Sequence, residues 1–121
     1  MTRALIAIAG LIGAAGIMLA ARAAHGGDAP HLVTASSMLL FHAPVILAVV
    51  LLDDRALVQR HLAISAAIGF AAGAALFAGD LTSLDLAGHS LFPLAAPTGG
   101  TILIASWVLL TVAGLAARQK P

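Results

Sequence analysis

Four stretches of this chain, Ala4 to Ala21, Leu32 to Leu52, Leu62 to Gly79 and Thr98 to Ala117, contain no Asp, Glu, Lys or Arg. Each is close to the ~20 residues that a helix rising ~1.5 Å per residue needs to cross a ~30 Å hydrocarbon layer. A closed barrel also satisfies every backbone group in lipid, but it needs alternating polar and apolar positions, and these runs are continuously apolar. The pattern predicts an all-α membrane protein: an antiparallel bundle of four transmembrane helices over about 4–22, 32–52, 62–79 and 98–117, forming one transmembrane domain over 1–121. Only 9% of the residues are charged, far below the roughly 25% of a soluble domain.

The few charges are distributed unevenly. With four spans, one side holds both termini and the turn between the second and third helices, and with them Arg3, Arg55, Arg60, Arg118 and Lys120. The other side holds Arg22 alone, because the segment from Asp80 to Pro97 has neither Lys nor Arg. The positive-inside rule therefore predicts that both termini are cytoplasmic. An alternative is that the first block is a secretory signal cleaved near "ARA". Its apolar run exceeds the ~7 to 15 residues of a signal core, which favours retention.

Small residues mark helix contacts. Gly10, Gly13 and Gly16 form a stripe on the first helix, and Gly69 and Gly73 form a small-xxx-small pair on the third. Such faces let backbones approach in lipid, where packing drives helix association. Gly99 and Gly100 follow Thr98, the expected N-cap of the fourth helix, and suit either close approach or a flexible helix entry. The segment 80–97 reads as an outer amphipathic loop whose leucines dip into the interface while Asp80 and Asp85 stay wet.

His42 is the one titratable side chain expected near the bilayer midplane. A polar group there should face the bundle interior. Counting along the fourth helix brings Ser106 and Trp107 to the same depth, so the expected partner is Ser106, the Trp107 indole N–H, or the Leu40 carbonyl that Pro44 frees. The plainest role is interhelical glue, with a proton relay and a haem ligand as alternatives. A relay usually needs a second intramembrane ionisable group, and a bis-histidine haem would need a partner chain to supply the other ligand.

In the outer loops, His25, Asp28, His31 and His89, with Asp85 on the same side, could bind zinc or copper. Solvated loop histidines are the simpler account. The chain has no cysteine and no glutamate, and no nucleophile elbow, P-loop or dinucleotide fingerprint appears, so no enzyme and no cofactor is expected. A net charge of +1 gives no reason to invoke nucleic acid.

In order along the chain, "AARAAHGG", "LVTASSMLLFH", "GAALFAGDLTSLDLAG" and "LAAPTGGTILIASW" resemble the small four-helix membrane proteins of the YgdD type, a family of unknown function found in bacteria with mitochondrial relatives. By position, His25, His42, Gly99, Gly100 and Trp107 match that family's pattern. Met38 and Leu39 stand where Tyr-Gln is usual, Ala78 and Asp80 flank Gly79 in place of serines, and Ser106 replaces a glycine. The resemblance implies a multi-pass topology and a location in the bacterial inner (plasma) membrane, but no activity.

The expected function is a non-enzymatic accessory, assembly or structural subunit that acts by helix packing. Its expected partners are the lipid bilayer and a larger membrane-protein complex or a homo-oligomer. A proton or small-solute transporter or pore using His42 is the first alternative, and a haem- or quinone-associated redox accessory subunit the second.

Overall fold

The computed structural model describes residues 1–118; Lys120, counted in the charge asymmetry, lies outside them. The described residues form four α-helices and no strand: α1 (Thr2–His25), α2 (Pro30–Asp54), α3 (Arg60–Leu86) and α4 (Ala95–Leu115). All four are long and apolar enough to cross a membrane.

The helices are longer than the apolar runs. Helix α3 continues through Asp80 to Leu86, so the expected outer loop over 80–97 shrinks to the eight residues 87–94. Likewise α4 begins at Ala95, which puts Thr98 inside the helix with its hydroxyl donating to the Leu94 carbonyl, 2.8 Å away. Both differences have one cause, set out below: the carboxylate of Asp80 satisfies the start of α4, so that helix needs no capping side chain of its own.

Packing follows chain order. Helix α1 lies on α2, α2 on α3 and α3 on α4; α1 also grazes α3, while the α1 and α4 backbones do not approach one another. The array is therefore open at its flanks, and α2 and α3 are its most buried members. Its core is built from alanines with a few larger side chains, of which Leu32, Ile46, Val49 and Phe70 are fully enclosed.

Helices α3 and α4 come closest. A methyl group placed on Gly99 would lie 2.6 Å from the Phe77 amide nitrogen and 2.9 Å from the Gly73 carbonyl oxygen. Only glycine fits there, because both obstacles are backbone. Gly73 meets the Gly99 carbonyl in return, at 3.0 Å, and Gly69 faces the Ser106 hydroxyl. On α1, Gly16 lies against the flexible Leu40 side chain, Gly13 makes ordinary contact with Ala43, and Gly10 faces open space; Gly100 touches only the Phe77 ring.

Tight bonds close the end that holds the α2–α3 turn. The Gln59 backbone N–H donates to the Ala113 carbonyl of α4 (2.7 Å) while its side chain caps Leu62 N. Arg60 donates to Asp53 across the turn at 3.1 Å. Within the turn, Ala56 N donates to Asp53 O and Leu57 N to Leu52 O, with Ala56 left-handed at φ 54°. These are the two bonds of a Schellman cap, with alanine at the position where glycine is usual.

Candidate functional site

Two places concentrate the polar chemistry of this chain: the last turns of α3 and the middle of α2. At the first, Asp80 and Asp85 lie five residues apart and each reaches a different neighbouring helix. Asp80 is not wet, as its sequence context implied, but only 3% exposed. One carboxylate oxygen accepts from Ser90 Oγ (2.5 Å) and Leu91 N (2.8 Å), and the other accepts from Ala96 N (3.0 Å).

Ala96 is the second residue of α4, whose own N-cap, Leu94, supplies no side-chain bond. Its N–H is one of the donors that a capping side chain normally satisfies, and the negative carboxylate also complements the positive end of the helix. Asp80 is thus the cap of α4, delivered from another helix. Asp85 repeats the device on the other side, accepting from Leu32 N at 2.9 Å in the first turn of α2, which begins Pro30-His31-Leu32 and has no capping side chain of its own.

His31 completes that second cap. Its Nδ1 lies 2.6 Å from the other Asp85 oxygen. This pairing takes His31 out of the expected metal group, and His89 bonds the Ser90 carbonyl through Nδ1 (3.0 Å). Among the described residues no three His, Cys, Asp or Glu side chains converge on a common point. The structure thus does not bring His25, Asp28, His31 and His89 together, and Asp85 is engaged at a helix terminus.

The second place is an aromatic cluster around His42, which has twelve residues of α2 on either side. The imidazole is 3% exposed. Its ring centroid lies 5.3 Å from Phe41, 5.7 Å from Phe70 of α3 and 6.2 Å from Trp107 of α4. Phe70 and Trp107 meet edge to face at 4.9 Å, a geometry in which the positive ring edge points at a negative ring face. Side chains thus join α2 to α4, although their backbones stay apart. Phe70 is sealed in, while Phe41 and Trp107 are partly exposed on the outer surface.

The partner of His42 is none of those expected. Nδ1 lies 2.8 Å from the Met38 carbonyl, one turn back on the same helix. A carbonyl only accepts, so Nδ1 donates this bond. Nε2 is buried with no hydrogen-bond partner. Ser106 is unavailable because its hydroxyl donates to Ile102 O, 2.8 Å away, which is how a serine within a helix satisfies itself locally. Trp107 contributes ring contact and no hydrogen bond to His42. The cluster therefore holds an imidazole whose Nε2 is sealed behind aromatic rings, so that a hydrogen-bonding group reaches it only by displacing one of them.

A family model described as a protein of unknown function (DUF423) matches residues 12–100, well over half of the chain. The chain belongs to the DUF423 family. This bears out the resemblance carried by the short motifs. The matched stretch runs from the middle of α1 into the first turns of α4, and so includes His42, both α3 carboxylates and Gly99, and stops short of Ser106 and Trp107. No curated protein and no solved structure matches the chain.

Proposed function

We propose that this DUF423 member is a multi-pass subunit of the bacterial inner membrane, an antiparallel helical array with both termini cytoplasmic that acts by packing against other membrane helices rather than by catalysis. The observation that carries this reading is the open flank of the array. Helix α1 touches α2 and little else, and its outer face presents Leu11, Ile17 and Met18, each more than 60% exposed, beside Gly10 with nothing opposite it. A groove of about 400 Å³ between α1 and α3, lined by Leu11, Met18, Ala75 and Gly79 among others, continues that face. In lipid, small residues and shallow grooves are what helix partners recognise, since apolar burial alone gives no preference for protein over acyl chain.

A photo-crosslinker placed at Leu11 in cell membranes tests this. The expected result is one discrete protein adduct, whether to a larger complex or to a second copy. Lipid adducts alone, together with a single chain of monomer mass in mild detergent, would refute it.

One observation favours a second reading: the Nε2 of His42 is a buried polar atom with no hydrogen-bond partner, midway along α2. It motivates a proton or solute path, or a redox accessory role with a ligand from a partner. Its neighbours argue for packing, because they are aromatic rings on three sides. Flux into liposomes that persisted unchanged in His42→Ala would remove the histidine from any transport mechanism, and a spectrum without a Soret band would dispose of haem.

A further inference from the structure

The end of the array that carries the α2–α3 turn has chemistry that helix packing does not use. A cleft of about 530 Å³ opens there between that turn and the end of α4, with Arg55 and Arg118 in its walls and Leu57, Gly114 and Leu115 between them. A second groove of about 410 Å³ shares Arg55 and Leu57 and runs up the outside of α2 over Ala48, Leu51 and Leu52. Cationic pocket and apolar groove thus adjoin the same two side chains. The volumes fall in the ~300–1,000 Å³ range of ordinary ligand sites.

Charge decides what fits. Of the nearby carboxylates, Asp53 is held by Arg60, and neither Asp53 nor Asp54 lines either cavity. The cleft adjoins the C-terminal ends of α2 and α4, each worth roughly half a negative charge, and the N-terminal end of α3, worth roughly half a positive one. Two full guanidinium charges outweigh that balance. Guanidinium is also the group best matched to a tetrahedral oxyanion, through paired N–H donors.

Local geometry keeps the site open. Ala56 is left-handed, a conformation that strains an L-residue, and it turns the chain between Arg55 and Leu57. Leu57 is left 59% exposed and Leu115 85% exposed at the mouth of the cleft. Exposed leucines beside two arginines form a surface that is half ionic and half hydrocarbon.

We propose that this cleft binds the headgroup phosphate of an anionic phospholipid between Arg55 and Arg118, with an acyl chain in the groove over Leu51 and Leu52. The proposal rests on the membrane embedding argued above, which puts this end at the cytoplasmic leaflet. A lipid satisfies both halves of the surface, whereas a free phosphate would leave the apolar groove unused.

The test is thermal unfolding of the full chain in a neutral detergent, followed by Trp107 fluorescence, with phosphatidylglycerol, phosphatidylcholine or inorganic phosphate added. Phosphatidylglycerol is expected to raise the midpoint and the other two to leave it in place. Because hydrogen bonds to charged groups contribute ~1.5–3 kcal/mol, Arg55→Gln with Arg118→Gln should weaken the response by about tenfold or more. Arg3→Gln, which removes an exposed charge outside the cleft, should keep it. Should the double variant lose its helical signal, the two single variants carry the test, each expected to weaken the response. An undiminished response in the arginine variants, an equal loss in Arg3→Gln, or a full shift with inorganic phosphate would overturn the proposal. A chain that stays dissolved without detergent would refute the embedding, whereas a detergent-bound chain blind to headgroup charge refutes the cleft alone.

Discussion

Replacing Gly99 by alanine is expected to push α3 and α4 apart, by an amount the structure fixes. The new methyl carbon would lie 2.6 Å from Phe77 N, 2.9 Å from Gly73 O and 3.0 Å from Phe77 Cα. No rotamer change relieves contacts with backbone, so the helices must separate by roughly 1 Å to restore the ~3.5–4.0 Å of an unstrained contact. Overpacking of this kind costs about 1–3 kcal/mol. Alanine recovers up to ~1 kcal/mol through its better helix propensity. The matched control is Gly10→Ala, where nothing lies within 4 Å and only the propensity gain remains. The difference between the two variants thus isolates the packing cost of about 1–3 kcal/mol, a factor of roughly 5 to 150 in the folded-to-unfolded ratio. Titration with sodium dodecyl sulfate in mixed micelles measures it, read by far-ultraviolet circular dichroism and by Trp107, the single tryptophan. Equal midpoints for the two variants would refute the close crossing of α3 and α4.

Three further outcomes follow from other features. Ala56→Gly should stabilise the chain by about 1 kcal/mol in the same titration, because the left-handed position at φ 54° strains alanine and not glycine; a loss would mean the turn is not left-handed. His42→Leu gives up a local bond of ~0.6 kcal/mol and removes an unsatisfied acceptor that costs ~1–3 kcal/mol, so stability should hold or rise. A loss above about 2 kcal/mol in that variant would reveal a partner for Nε2. Asp80→Ala should speed hydrogen exchange at the Leu91 and Ala96 amides, which lose their acceptor, and leave Leu32 protected by Asp85; unchanged exchange at Ala96 would remove the cap from the account.

Residue patterns disclosed the helices better than their ends. The four helices were legible in their long charge-free apolar runs, and the burial of His42 in its place at the middle of one of them. The Gly69, Gly73 and Gly99 positions could be picked out as small, but not assigned to one crossing, since Gly10 looks the same in sequence and faces open space. Hydropathy marks where apolar residues stop, which is not where a helix must stop. At Asp80 the charge suggested a wet loop, yet α3 runs on because amides eleven and sixteen residues away supply its partners. The spacing of Asp80 and Asp85, one aimed at each neighbour, is the signal that could have revealed this, had both following and preceding helices been checked for missing caps. His42 choosing the Met38 carbonyl over Ser106 depends on rotamers, which no spacing encodes.

The paired carboxylates also set a vertical scale. Each side-chain hydrogen bond described between helices has α3 as one partner, so α2 is pegged to α3 near both of its ends and α4 near its start, while α1 is held by packing and its short turn. In the membrane arrangement proposed above, a bilayer that thins or thickens would tilt the three pegged helices together, as a plate. Only α1 keeps the freedom to move like a piston against them, which makes it the helix through which a change in membrane thickness would be felt.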